Sequence, residues 1–199
     1  MGTVLVDLSV SLDGFIAGPG DGLGQPLGRG GEALFAWMTA GPAANRVSRW
    51  LAPPDRSRVI VDGWMTNVGA IISGRRTFDL ARGWRGGHPI DVPIFVVTHH
   101  VPTRGAWSPQ VSFVTDLRRA LDRAQQAAGE REVSVCGADP VQQLLRAGQL
   151  DEIQLSVVPV LLAAGVRLFD HLGPAPVALD LLRVVASDGV THLRYRVRR

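Results

Sequence analysis

The sequence predicts an α/β fold with a mostly parallel central sheet, helices on both faces and a C-terminal antiparallel hairpin. Three observations carry this. Short apolar segments alternate with helical stretches, and such alternation implies crossover connections and parallel strands. Two of the segments, Ala70–Thr77 and Val133–Pro140, run from an apolar strand through glycine into a helix start. Near the end, Asp188-Gly189 joins two strand-like stretches, a strong hairpin signal.

The elements follow in order. Thr3–Leu12 is rich in Val and Leu and reads as a buried strand. Asp13-Gly14 breaks it, and Phe15–Ala17 briefly resumes it. Gly18–Gly31, with many glycines and two prolines, reads as a long mobile loop of the kind that borders binding sites. Glu32–Met38 is expected to be helical, with Leu34, Trp37 and Met38 on one face, and Ala43–Leu51 forms a second helical stretch. Asp55 is expected to cap a helix reaching Met65. Val68–Ser73 is a strand, Arg75–Ala81 a short helix and Arg82–Asp91 a loop. Val92–Thr98 is nearly all apolar and is expected to be central. Val111–Val114 is a short strand, and Thr115 or Asp116 caps a helix to Ala128. Glu132–Cys136, a helix from Pro140 to Ala147, the strand Glu152–Val160 and the turn-rich Leu161–Asp170 come next. The hairpin strands Ala178–Ser187 and Thr191–Arg198 close the chain. No repeat or linker interrupts residues 1–199, so one domain is expected.

Composition narrows the function classes. The chain has 199 residues, 46% hydrophobic and 20% charged, as globular proteins do. No apolar run is long enough to span a membrane, and no secretory leader is evident. The lone cysteine, Cys136, excludes an internal disulfide and points to a reducing, cytoplasmic compartment. No cysteine or histidine spacing suggests a metal site. The pI of about 10.3 comes from a net charge of only +3, because every one of the 21 basic residues is arginine. The arginines are scattered, so no nucleic-acid partner is expected. The absence of lysine excludes Schiff-base chemistry and a P-loop lysine.

The two glycine turns leave from the carboxyl ends of strands, where ligands sit in open α/β sheets. Each is expected to present backbone N–H groups at a helix start, which suits phosphate. Two of them in one chain suggest a dinucleotide or a phosphorylated nucleoside. Asp139-Pro140 reads as an N-cap followed by proline at the first helical position. Cys136 is expected to act as a small hydrophobe. Trp37, Trp50, Trp64, Trp84 and Trp107 are expected in the core or at a subunit contact. Leu179, Leu181, Leu182, Val184 and Val185 either pack across the subunits of a homodimer or belong to the core.

Four pieces in this order carry a resemblance over nearly the whole chain. They are Ser11-Leu12-Asp13-Gly14-Phe15-Ile16-Ala17, then Gly74-Arg75-Arg76-Thr77, then Cys136-Gly137-Ala138-Asp139. The fourth is Leu150–Ile153 with Val158–Leu161 and Gly165–Phe169. The set resembles the dihydrofolate reductase-like superfamily. It is most similar to the C-terminal reductase domain of the bifunctional riboflavin-biosynthesis deaminase-reductase, here without a deaminase zinc motif.

The resemblance implies an NADPH-dependent reductase acting on a small heterocyclic or carbonyl substrate, such as a ribosylamino-pyrimidine. The cofactor would lie across the carboxyl edge of the sheet. Ser73, Gly74, Arg75, Arg76 and Thr77 would meet its adenosine side and pyrophosphate, with Arg75 at the 2′-phosphate. Thr98 and His99 would flank the adenosine, and Cys136, Gly137, Ala138 and Asp139 would border the cofactor backbone. Ser9, Ile16 and Ala17 would line the nicotinamide. Asp13, Gly14, Phe15 and Trp37 would border the substrate, with Asp13 or water as proton donor. The chain departs from folate reductases at Leu34, which stands near the place of their pocket acid. It departs again at Cys136, where the family usually has glycine. The alternative is a non-catalytic NADP(H)- or nucleotide-binding module on the same fold.

Overall fold

The computed structural model describes residues 1–42, 51–85, 87–103, 105 and 107–199. The expected helix at Ala43–Leu51, apart from Leu51, and the role of Trp50 lie outside them.

Strand β1 (Val4–Ser11) is the hub of an eight-stranded sheet. Its neighbours are β6 (Glu132–Cys136) and β7 (Glu152–Val158), both parallel to it. Beyond β6 lie β3 (Val68–Gly74), β4 (Ile94–Val97) and β5 (Val111–Val114), again parallel. Beyond β7 come β10 (Val190–Val197) and the edge strand β9 (Leu179–Ser187), the expected antiparallel hairpin. The order is β5-β4-β3-β6-β1-β7-β10-β9. β4 is therefore one strand in from the edge rather than central, yet Ile94, Phe95 and Val96 are buried. A second, two-stranded sheet pairs β2 (Phe15–Ala17) with β8 (Val166–Arg167), a short strand inside the segment expected to be a turn-rich connection.

Both sheet faces are covered by helices. On one, α3 (Leu117–Ala128) and α4 (Ala138–Arg146) pack Ala120, Leu121, Val141 and Leu144 against Val4, Val6, Ile72 and Val135. Asp116 caps α3 by accepting from the Arg119 backbone N–H at 2.7 Å. On the other face, α1 (Arg58–Asn67) and a 3-10 helix (Gly31–Thr39) bury Val61, Leu34 and Trp37 against Val158 and Val190. In the 3-10 helix the buried positions are Gly31, Leu34 and Trp37, a spacing of three that matches its three residues per turn. The short helix α2 (Arg75–Leu80) sets Phe78 beside Trp84, Trp107 and Phe113 in a third apolar cluster.

Three local expectations change. Asp55 does not cap α1; it begins a 3-10 turn and pairs with Arg58 at 3.0 Å. Asp139 does not cap α4 either. Gly137 (φ 100°, ψ 146°) turns the chain early, so α4 starts at Ala138 and Asp139 lies in its first turn, accepting from Gln143 Nε2 at 2.8 Å. The Gly18–Gly31 segment is pinned rather than free. Gly18 donates to the Leu27 carbonyl at 2.8 Å, Arg29 to Pro19 at 3.0 Å, and Gly22 and Gln25 bridge each other. The backbones of Gly18 and Gly28 approach so closely that a Cβ on Gly28 would stand 2.1 Å from the Gly18 oxygen. No helix among the described residues is long and apolar enough to cross a membrane.

Candidate active site

The carboxyl ends of β1, β3, β4 and β6 open into one cleft of about 870 Å³. The topology explains the gathering. Parallel strands with right-handed crossovers bring the loops after each strand to the same edge. Ser9, Ile16 and Ala17 enter from the first strand and β2; Gly74, Arg75, Arg76 and Thr77 from the β3–α2 turn; Thr98 and His99 from the end of β4; and Gly137, Ala138 and Asp139 from the β6–α4 turn. The Gly18–Gly31 loop forms one wall through Asp21, Pro26 and Leu27, and Phe35 extends it.

The remaining sequence-selected residues do not line this surface. Ser73 is fully buried and donates to the Gly74 carbonyl at 3.1 Å. Cys136 sends its side chain toward the apolar cluster of Ile71, Phe78 and Ile94, not into the cleft. Burial pushes its thiol up to about 11, so it is protonated and unreactive at neutral pH. Cys136, standing where the resemblance implies glycine, therefore leaves the cleft surface clear. The close approach falls to Gly137, where a Cβ would stand 2.8 Å from Thr77 Oγ1 and fill the cradle.

Asp13, Gly14 and Phe15 form a brace under the cleft. The Asp13 carboxylate accepts from Ser11 Oγ at 2.6 Å, from the Leu162 N–H at 3.1 Å and from the Ala163 N–H at 2.7 Å. The Ser11 bond, with the two backbone donors, lowers its pKa to about 2. An ionised carboxylate with this many donors holds a turn; it has no proton to give near pH 7. Phe15 is buried beneath the Arg167 guanidinium, 4.4 Å from its ring centre. Trp37 is also buried, and its Nε1 donates to Ser9 Oγ at 3.0 Å. Its ring meets His192 edge-on at 4.9 Å, and His192 is held between Ser57 Oγ and Ser156 Oγ, each at 2.9 Å. With Leu34 fully buried beside them, these groups fill the space below the 3-10 helix.

The charged groups of the cleft are already paired. Arg75 Nε reaches both Asp79 oxygens at 2.9 and 3.0 Å, and its Nη1 donates to the His100 carbonyl at 2.8 Å and to Thr98 Oγ1 at 3.3 Å. Arg76 grips Asp21 with Nε on Oδ2 and Nη2 on Oδ1, both at 2.7 Å, and Nη2 also meets the Asp21 carbonyl at 2.7 Å. That carboxylate raises the Arg76 pKa further. Sequence reasoning missed Phe35, Asp116 and Gln143 as lining residues, and reached Asp21 only as part of the loop expected to border the site. Asp21 alone carried a signal, as the one carboxylate inside a glycine-rich loop.

A separate polar hollow of about 470 Å³ lies under α1, lined by Asp7, Trp64, Glu132, Gln154, Arg183 and Arg194 among others. Asp7 accepts from Trp64 Nε1 at 2.5 Å and from Gln154 Nε2 through Oδ2, while Oδ1 has no partner. No group of three or more His, Cys, Asp or Glu among the described residues is placed to hold a metal ion.

Comparison with known proteins gives this geometry a family. The chain resembles a crystallised protein from Shewanella sp. PV-4 assigned to riboflavin biosynthesis, with 24% identity, a TM-score of 0.71 and 99% of both chains covered. It aligns in full with 59% of Acinetobacter baumannii RibD, at 19% identity and a TM-score of 0.66. It also aligns in full with 92% of a pyrimidine reductase-like protein from Corynebacterium diphtheriae, at 15% identity and a TM-score of 0.59. At these identities the likeness speaks for the fold. No curated protein matches the chain. The model of the RibD C-terminal domain matches residues 2–193. With 192 of its residues matched, the chain belongs to the RibD C-terminal domain family.

Proposed function

We propose that the chain is an NADPH-dependent reductase of a small heterocycle, a ribosylamino-pyrimidine being the substrate class the family favours. One observation carries the reading: residues from four separate strand ends converge on a single cleft that combines two arginines, two glycine turns and the apolar side chains of Ile16, Leu27 and Phe35. When bound there, the cofactor supplies a hydride. Gly74, Arg75, Arg76 and Thr77 would hold its phosphate-bearing half, with Arg75 at the 2′-phosphate. Thr98 and His99 would hold its adenosine side, and Gly137 and Ala138 would allow its backbone close approach. Ser9, Ile16 and Ala17 would face its nicotinamide. Guanidinium forks suit phosphate oxygens, and α4 points its N-terminus at the same end. The helix α2, at six residues, contributes through its arginines rather than its dipole.

The substrate would enter between Ser9 and the wall of Leu27 and Phe35, since Trp37, His192 and Leu34 occupy the space below. The proton would come from water in the open cleft, because Asp13 is held ionised. A homodimer through the outward residues of β9 belongs to the same proposal.

Calorimetric titration with NADPH and NADH tests the reading, followed by cofactor oxidation with ribosylamino-pyrimidine, pterin and simple carbonyl substrates. Failure of both cofactors to bind below millimolar concentration defeats it. The paired state of both arginines favours a second reading, a nucleotide-binding module without turnover. Tight NADPH binding with no oxidation on any of these substrates would select that one.

A further inference from the structure

Both arginines of the cleft are neutralised by carboxylates, but in different ways. Asp79 sits one turn along α2 from Arg75, so that pair lies within a single helix and its rupture would move no other segment. Asp21 reaches Arg76 from a loop 55 residues away in sequence. Its side chain is 11% exposed and faces the cleft, whereas Arg76 is 63% exposed. The contact is bidentate, Nε and Nη2 against two coplanar oxygens, the arrangement by which a guanidinium also grips two oxygens of a phosphate. Asp21 is flanked by Gly20 and Gly22, and a Cβ built on either would meet only its chain neighbours within 4 Å, so open space lies on that side of each glycine.

We propose that Asp21 is a displaceable phosphate surrogate that sets the affinity and selectivity of the cleft. A ligand that brings a phosphate to Arg76 exchanges it for the Asp21 carboxylate and frees the Asp21 segment of the loop. A ligand without phosphate has nothing to exchange and leaves the pair closed. The inference rests on the proposed function in one respect, that a phosphorylated dinucleotide occupies this cleft. It adds that the loop wall is coupled to that occupancy, and that part of the binding free energy is spent breaking Asp21–Arg76.

The test is calorimetric titration of wild type, Asp21→Asn and Asp21→Ala with NADPH, inorganic pyrophosphate and adenosine. Both variants should bind NADPH and pyrophosphate roughly three- to tenfold more tightly than wild type, the scale of one partly buried ion pair. Adenosine affinity should not change. Weaker NADPH and pyrophosphate binding in both variants overturns the inference, since Asp21 would then serve as a latch over the ligand. An equal gain for adenosine also overturns it, since the effect would not depend on phosphate. Wild type that binds NADPH with unaltered variants sinks the surrogate alone. Absence of NADPH binding in all three proteins sinks the proposed function with it.

Discussion

Two buried groups on the polar face of the sheet should oppose each other in pH-dependent stability, and Asp7→Asn separates them. Burial raises the Asp7 pKa to about 7 from 3.8, against the lowering effect of the Trp64 and Gln154 bonds and of Arg194. The folded state therefore binds a proton that the unfolded state releases. Asp7's contribution is fully present below pH 3.8 and is lost as pH rises to 7, a loss of about 4 kcal/mol over the whole window. His192, 1% exposed, goes the other way. Burial first, then Arg183, lowers its pKa from 6.5 to about 4. Its contribution is present above pH 6.5 and is lost as pH falls through 4, by about 3 kcal/mol. Between pH 4 and 6.5 the slopes nearly cancel in wild type. Asparagine at position 7 keeps an acceptor for Trp64 and Gln154 and removes the titration. Between pH 5 and 8 the variant should gain about 2.5 kcal/mol over wild type, which for a chain of this length shifts the melting temperature by roughly 5–10 °C. Urea unfolding at pH 5, 6, 7 and 8 measures it. Parallel stability curves for the two proteins over that range would refute the assignment.

Four further outcomes are expected. Gly137→Ala places a Cβ at φ 100° against Thr77 Oγ1, so it should cost roughly 1–3 kcal/mol in urea unfolding and weaken NADPH binding; an unchanged midpoint contradicts the cradle. Asp116→Ala removes the cap of α3 and should cost about 1 kcal/mol, read by the same method; no loss means the cap bond does not persist in solution. Trp37→Phe deletes the donor to Ser9 Oγ in a buried site and should destabilise by roughly 1–3 kcal/mol, and a neutral result would show the hydroxyl re-pairing. Light scattering should find a homodimer for wild type and a monomer for Leu181→Asp, since Leu181 and Val184 are 58% and 52% exposed on the edge strand; a monomeric wild type ends that proposal.

Most of the fold was legible because its signals are local. Val-rich strands bounded by glycine, the Asp116 cap and the Asp188-Gly189 turn each act within a few residues. Where two local signals competed, the sequence misled. At the start of α4, Asp139-Pro140 looks like cap and first helical residue, but Gly137 adopts a conformation closed to most side chains and begins the helix sooner. The same turn resolves Cys136. In a strand, neighbouring side chains point to opposite faces, and that alternation, not the residue type, sends the thiol into the Phe78 cluster. The cleft-lining glycines and arginines were readable because strand ends locate ligands in such sheets. Asp21 was readable only as part of a loop beside the site, because the closed path of the 18–31 loop is what brings its side chain over the strand ends, and Phe35 on the following 3-10 helix carried no signal of its own.

The role of Asp13 turns on a contact of the same long-range kind. From sequence it is a carboxylate at a strand end beside a loop, which fits a proton donor. Its partners at Leu162 and Ala163 lie 149 and 150 residues away, and no local pattern announces them. Once they are in place, the same carboxylate ties the end of β1 to the segment that leads into β8, and β8 in turn pairs with β2. Ile16 and Ala17, the proposed nicotinamide contacts, sit on β2. Asp13 thus acts on the site by fixing the strand that carries those contacts. Loss of its charge should appear in cofactor affinity rather than in the proton-transfer step.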